Sequence, residues 1–277
     1  MTPSTFFRSR WVDAPAGVTE LPGGLPQGFR ACGVAAGLKA SGNLDVGLMV
    51  CDAADATSAA RFTRSSTAAA PVLVSRERAR LHALRAVAVN SGNANAATGG
   101  RGRDDAAKMQ GAAAIAGGVP HDRVAVASTG VIGVPLDMQA IVSGLARAAG
   151  RLRADGDADF TAAIMTTDAF EKRATLAVEL PSGGTVRLSA QAKGAGMIQP
   201  SHATMLCFVQ TDAALSAETA DLLLGVTVKR SFDRITVDGQ LSTNDTVLLM
   251  CSGASGVTIA PQTPDELAFG QALDGLL

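Results

Sequence analysis

Six short runs of strand character set the frame of this chain: AVAVN (86–90), VAVAS (124–128), TLAVEL (175–180), TVRLSA (185–190), MLCFVQT (205–211) and TVLLM (246–250). Each suits a buried strand better than a helix by its length and apolar content. LPSGGTV (180–186) joins two of them through Pro, Ser and paired Gly, so a hairpin is expected there, which argues against a purely parallel doubly wound sheet. Helical patterns fill the intervals. Asp104 to Ala116 carries acidic residues in its first turn and stops at Gly117-Gly118, while Met138, Ile141, Val142, Leu145 and Ala149 share one face behind Pro135 at a first-turn position. The expectation is an α/β fold of mixed β-sheets covered by helices, as one large domain or two.

The core of such a fold must pack through small aliphatic side chains, because aromatics are only 4% of residues and Tyr is absent. A net charge of −1, from 24 basic and 25 acidic residues, offers no field that would gather nucleic acid or an anionic membrane. No run approaches the roughly 18 apolar residues of a membrane span, and the start MTPSTFFRSRWVDAPAG lacks the apolar segment of an export signal. A cytoplasmic protein with a small-molecule partner is expected. Cys32, Cys51, Cys207 and Cys251 form no CxxC pair and the three histidines are scattered, so neither a metal site nor a disulfide framework is suggested. The cysteines read as buried reduced thiols. Near the end, Thr263-Pro264-Asp265-Glu266 is a capping box before an apolar face of Leu267, Leu273, Leu276 and Leu277. The chain stops inside that apolar turn, which reads as a cut end or as a face covered by another chain.

Three Gly-rich segments, SGNANAATGG (91–100), STGVIG (128–133) and KGAGM (193–197), fit neither the Walker pattern nor a dinucleotide fingerprint and read as tight turns. HExxH and GxSxG motifs are absent, and adjacent Ser201-His202 make a poor dyad because catalytic partners converge in space, so His202 reads as a loop or core histidine. What remains are hydroxyl residues beside Gly or acidic residues at strand ends: Ser128-Thr129-Gly130, Thr166-Thr167-Asp168, Ala203-Thr204 and Ser242-Thr243-Asn244-Asp245. Singly, each is a turn or a cap. Together they suggest a site.

Thr204 has a specific chemistry available. A Thr held by a constrained loop can turn its hydroxyl on the carbonyl of Ala203, forming an ester that water cleaves. The freed α-amine of Thr204, with an ordinary pKa of about 7.7 to 8.0, keeps a neutral fraction at physiological pH and can act as base for its own hydroxyl. The turn Thr129-Gly130, directly after VAVAS, is the candidate oxyanion hole, since Gly admits close backbone approach and the hydroxyl adds a second donor.

These segments carry a resemblance. VNSGNANAATG (89–99), ASTGVIG (127–133), MTTDAFEK (165–172), KGAGMIQPSHATML (193–206) and SFDRITVDGQLSTNDTVLL (231–249), in this order, resemble the ornithine acetyltransferases of arginine biosynthesis, the ArgJ family of bifunctional glutamate N-acetyltransferase/ornithine acetyltransferase enzymes. The resemblance implies a self-processing fold like that of the DmpA aminopeptidases, cleavage between Ala203 and Thr204, and α (1–203) and β (204–277) regions that stay together, commonly as an α2β2 heterotetramer. It implies Thr204 as acyl-accepting nucleophile, Thr129 and Gly130 as oxyanion stabilisers, and Thr167, Lys193 and Thr204 as substrate-binding residues. The implied reaction passes an acetyl group from N-acetylornithine to Thr204, releases ornithine, and delivers the acetyl group to glutamate. No cofactor is implied, although acetyl-CoA serves some members as a substrate.

The chain departs from the family pattern at Glu171, where TTD-x-x-PK has Pro, and at SHATML, where NMATML is commoner. The family also continues to a DGEGATK-type motif that this sequence lacks, so the chain reads as a truncated form. The alternatives are a non-catalytic remnant and a DmpA-type aminopeptidase or amidase, in which water replaces glutamate as acceptor.

Overall fold

The computed structural model of the chain describes Phe7, residues 13–199 and 205–277, and the backbone of His202–Ala203. Strands β1 (Val18–Leu21), β2 (Phe29–Val34), β3 (Val46–Cys51) and β4 (Thr57–Phe62) precede helix α1 (Ala70–Arg78). A β-α-β unit follows, β5 (Ala86–Asn93), α2 (Gly99–Gly117) and β6 (Val124–Val131), then helices α3 (Met138–Ala149) and α4 (Asp157–Ile164). The hairpin of β7 (Lys172–Glu179) and β8 (Thr185–Lys193) leads through the two-residue strands β9 (Ile198–Gln199) and β10 (His202–Ala203) to β11 (Leu206–Thr211). Last come β12 (Ala214–Leu215), α5 (Ala217–Arg230), β13 (Thr246–Cys251), β14 (Thr258–Ile259) and α6 (Pro264–Leu276).

Two main sheets result, one of six strands in the order β1-β7-β8-β11-β13-β4 and one of four in the order β2-β3-β5-β6. Both are mixed: β11–β13 and β5–β6 are the parallel pairs, and every other neighbour in them is antiparallel. The period of two in the strands decides the layers. In β11, Leu206 and Phe208 enter an apolar cluster that also holds Met49, Val87 and Ala125 of the four-stranded sheet, whereas Cys207 and Val209 pack with Leu224 of α5 and Phe269 of α6. In β3, Met49 faces the opposite sheet, while Leu48 and Val50 pack with Met109 of α2 and Leu145 of α3. The molecule is therefore helices, sheet, sheet, helices, and the expected mixed-sheet α/β architecture is what forms. The α and β regions expected on either side of Thr204 share one sheet, since β11 lies between β8 and β13.

Several local expectations shift by a few residues. Helix α2 begins at Gly99 instead of Asp104, because Asn95 hydrogen-bonds the Gly102 carbonyl (2.9 Å) and accepts from the Thr98 hydroxyl (2.8 Å), which supports the first turn despite its glycines. It ends as expected, with Gly118 in the left-handed conformation. Pro135 lies outside α3, whose N-cap is Asp137; Ile141 and Leu145 are buried, but Val142 is exposed and Ala148 takes the place expected for Ala149. In α6 Thr263 caps the Glu266 N–H (3.2 Å), and Leu273 and Leu276 are buried while Leu267 faces out. All four cysteines are free and buried. His202, read from sequence as a loop or core histidine, lies with Ala203 on a short strand paired to Ile198–Gln199.

With so few aromatics, each buried ring carries much of the inter-sheet packing. Phe160 of α4 meets Phe208 of β11 edge to face at 5.4 Å between the sheets. Phe208→Ala is expected to cost about 3–5 kcal/mol, read as a lowered midpoint of urea unfolding without a matching change in slope.

Candidate active site

The parallel strands β5 and β6 end side by side, Ser91 opposite Thr129 and Gly92 opposite Gly130, before a bulge shifts their register at Asn93. Gly130 has φ 135°, and a Cβ there would lie 2.3 Å from the Gly92 carbonyl carbon, so only Gly allows the two strands to meet this closely. Asparagine side chains shape the loop beyond: Asn90 donates to the Asn93 carbonyl (2.8 Å), Asn93 to those of Val134 (3.0 Å) and Pro135 (3.2 Å), and Ser128 to Asn90 (2.6 Å). The Gly-rich segments expected as tight turns are partly regular structure: Ser91–Asn93 ends β5, Ser128–Val131 ends β6, Gly99-Gly100 opens α2 and Lys193 ends β8.

Opposite them, in the six-stranded sheet, β8 ends at Lys193, which the register places across from Leu206, the first residue of β11. The Lys193 side chain is buried, and its ammonium donates to the hydroxyls of Thr166 (2.8 Å) and Thr129 (3.0 Å). Burial pushes its pKa down, against the stabilising charge of Asp168, and Lys172 and Lys39 push in the same direction as burial. Because Thr129 accepts from the ammonium, its own hydroxyl proton is left to donate elsewhere. Burial alone would raise Asp168, but the Lys172 ammonium (2.6 Å), the Gly194 N–H (2.8 Å), the charge of Lys193 and the Thr166 N–H (3.3 Å) together hold it below its usual range. Asp168 thus ties the TTD turn to the KGAG turn.

These groups line a cavity of about 500 Å³ whose walls include Lys39, Thr129, Gly130, Thr166, Thr167 and Lys193, together with Ser242, Thr243 and Asn244. It lies where the carboxyl ends of β5 and β6 face the amino ends of β11 and β13. Four residues named from sequence, Thr129, Gly130, Thr167 and Lys193, thus come together at one cavity. Thr204, expected as nucleophile, lies outside the described residues, as does the side chain of Ala203. The neighbour on the other side of Thr204 is well placed: Met205 donates its N–H to Asp245 (3.0 Å) and accepts from the Thr246 N–H (3.0 Å). The loop before it is clamped by Asp238, which accepts from the N–H groups of Met197 (2.6 Å) and Ile198 (2.8 Å).

The TTD residue that touches Lys193 is Thr166, while Thr167 forms another part of the wall. Sequence alone does not choose between adjacent threonines. It also gave Asp245 no role, although STND stood out. Asp245 is buried, with its Oδ2 lacking a hydrogen-bond partner among the described residues, and burial pushes its carboxyl up to about 7 against the pull of the Met205 N–H, Ser242 and Lys193. Lys39 carried no signal; it reaches the cavity because the buried carboxylate of Asp45 gathers the N–H groups of residues 36–39. Among the described residues no His/Cys/Asp/Glu group could hold a metal ion, and no helix is long and apolar enough to cross a membrane.

Two mixed sheets packed face to face between helices, with a cavity at their strand ends, define the fold. The fold is similar to that of the L-aminopeptidase D-Ala-esterase/amidase of Ochrobactrum anthropi, described as a variant of the Ntn hydrolase fold (TM-score 0.51, 10% identity, 94% of this chain and 87% of that one). The chain belongs to the ArgJ family, whose profile matches residues 30–277. It is 45% identical over 262 residues to the arginine biosynthesis bifunctional protein ArgJ of Symbiobacterium thermophilum, covering 93% of this chain and 65% of that relative's own length. It is also similar to the ornithine acetyltransferase of Mycobacterium tuberculosis solved in complex with ornithine (TM-score 0.61, 39% identity, 66% of this chain and 98% of that one).

The raised carboxyl of Asp245 has a consequence for stability. Between about pH 4, where an unfolded Asp has released its proton, and about pH 7, the folded chain holds one proton more than the unfolded chain, so stability falls as pH rises through that window and levels above it. Asp245→Asn removes this contribution. Urea unfolding at both ends of the window is expected to show wild type losing stability relative to the variant as pH rises.

Proposed function

We propose that this chain acts as an ornithine acetyltransferase that cleaves itself before Thr204 and then carries acetyl groups on that residue. The observation that carries the reading is the buried Lys193 ammonium bridging Thr129 and Thr166 at the end of β8, directly across the sheet from the start of β11. In the cleavage step Thr204 Oγ bonds to the Ala203 carbonyl carbon, the Ala203–Thr204 C–N bond breaks, and the hydroxyl proton passes to the departing nitrogen. Water then hydrolyses the ester, leaving the Ala203 carboxylate, the Thr204 hydroxyl and a free α-amine.

In transfer, that amine takes the hydroxyl proton as Thr204 attacks the acetyl carbonyl of N-acetylornithine, and the proton leaves on ornithine. Glutamate's neutral amine next attacks acetyl-Thr204, its surplus proton going to the α-amine and then to Thr204 Oγ as that oxygen leaves. Thr129, whose hydroxyl proton Lys193 leaves available, and the Gly130 N–H serve the two oxyanions. Lys193 has three N–H donors, and among the described residues the threonines take two, so the third is offered to a substrate carboxylate, with Thr167 in the same wall. Acetyl-CoA enters, if used, as an acetyl donor and not as a resident cofactor.

Support comes from the chain lengths of relatives. The M. tuberculosis chain is 98% covered by 66% of this one and is therefore the shorter, although this chain spans only 65% of the S. thermophilum protein, as a precursor cut in two would require. The two pieces remaining together is supported by the sheet they share, and assembly as α2β2 and a cytoplasmic location complete the reading. The aminopeptidase alternative rests on likeness at 10% identity, which carries the fold alone.

Intact mass of the purified protein is expected to give two chains parted before Thr204, and Thr204→Ala a single uncut chain; an uncut wild type defeats the proposal. Incubation with N-acetylornithine is expected to acetylate the fragment that begins at Thr204. Lys193→Met should slow that acetylation about 10- to 100-fold, the worth of a charge-assisted hydrogen bond.

A further inference from the structure

We propose that Asp245 is a positioning residue for the reaction at Thr204, acting through its hydrogen bond to the amide that joins Met205 to Thr204. The inference rests on the reading of Thr204 as nucleophile and extends it to a residue given no part in that chemistry so far. The ladders that β8 and β13 make with β11 begin at Leu206, opposite Lys193 and Thr246. One residue earlier, the Asp245 side chain supplies the acceptor for the Met205 N–H at 3.0 Å, and the Thr246 N–H holds the Met205 carbonyl at 3.0 Å. Both backbone groups of the residue after the nucleophile are thereby set.

Asp245 is itself held from two sides. Its carbonyl accepts from the Thr63 N–H (2.9 Å) beyond β4, and its neighbour Asn244 donates to the Ala94 carbonyl (3.1 Å) beyond β5. The carboxyl therefore reports the relative placement of the two sheets to the start of β11. A simple cap would not need a carboxylic acid, since burying a second oxygen without a partner is costly. Here Oδ2 is buried and unpartnered among the described residues, at the Asn244–Asp245 step that divides two cavities. Asn244 lines the cavity of Lys193; Asp245 and Met205 line another, of about 250 Å³. The groups that face the carboxyl are the Ser242 hydroxyl and the Lys193 ammonium, with Arg61, Arg64, Lys229 and Asp233 in the second cavity.

The test is the rate of self-cleavage, followed by intact mass across neutral pH, for wild type, Asp245→Asn and Asp245→Ala. The Ala variant leaves the Met205 N–H buried without its acceptor and is expected to cut about tenfold more slowly or worse. The Asn variant, whose amide oxygen can still accept, is expected to recover most of the rate but to lack the inflection near pH 7 expected of wild type. In the uncut chain the Thr204 nitrogen is an amide, so no α-amine titration obscures that inflection. A wild-type rate in the Ala variant overturns the inference, as does a folded Asn variant no faster than the Ala one. If Ala prevents folding, as its urea midpoint reveals, the Asn profile decides, and an unchanged inflection overturns the inference. If wild type is not cut at all, the self-cleavage reading fails, and the Met205 amide resonance of the nitrogen-labelled chain decides instead. A resonance that moves with a midpoint near pH 7 and loses that movement in Asp245→Asn supports the hydrogen bond, and one that ignores pH in wild type overturns it.

Discussion

A buried ammonium without compensation would cost several kcal/mol, and Lys193 is compensated by groups from two separate segments of the fold. Thr129 comes from the end of β6 in one sheet, Thr166 from the turn after α4, and Asp168 contributes its charge while binding the Gly194 N–H beside the lysine. None of these could be moved alone without leaving a buried donor or acceptor empty. The two sheets are consequently registered against each other at the place where the cavity forms, and the placement of β11 follows from its pairing with β8.

The rest of the architecture serves that registration with small side chains. The layer between the sheets is built from Ala, Val, Leu, Met and a few rings, and Gly130 and Gly92 touch where a Cβ would not fit. Close approach lets backbone groups and short hydroxyls line the cavity beside Lys39 and Lys193. This suits acyl transfer, in which preorganised donors contribute by already standing where charge will develop. Parallel strand pairs in both sheets bring the carboxyl ends of β5 and β6 to the amino ends of β11 and β13, so that strand termini, the places where backbone groups are left unpaired, converge on one site.

Electrostatics divides the neighbourhood into two regimes. Asp168 is held below its usual range by Lys172, the Gly194 and Thr166 N–H groups and Lys193 against its burial, whereas burial outweighs the Met205 N–H, Ser242 and Lys193 at Asp245 and pushes it up to about 7. Two carboxyls near the same lysine therefore differ in their protonation at neutral pH, because one is surrounded by donors and the other is mainly desolvated. The first acts as a structural tie between turns, and the second is a group able to change its charge where β11 begins.

The strand runs, the hairpin at 180–186, the stop of α2 at Gly118, the buried thiols and the mixed-sheet architecture were all legible in sequence, because they depend on local periodicity and on residues whose backbone preferences are strong. Thr129 and Gly130 were named from a Gly turn after a strand, and Thr167 and Lys193 through the resemblance to the ArgJ family; all four line one cavity. The choice of Thr166 over Thr167 at the ammonium, the role of Asp45 in delivering Lys39, and the partner of the Met205 N–H were decided only by tertiary structure. The physical reason is that burial and hydrogen-bond partnership are properties of where two distant segments meet. A residue's type and its local neighbours predict whether it can form a strand or a turn, but an Asp in STND becomes a titratable anchor only when β13 is laid beside β11.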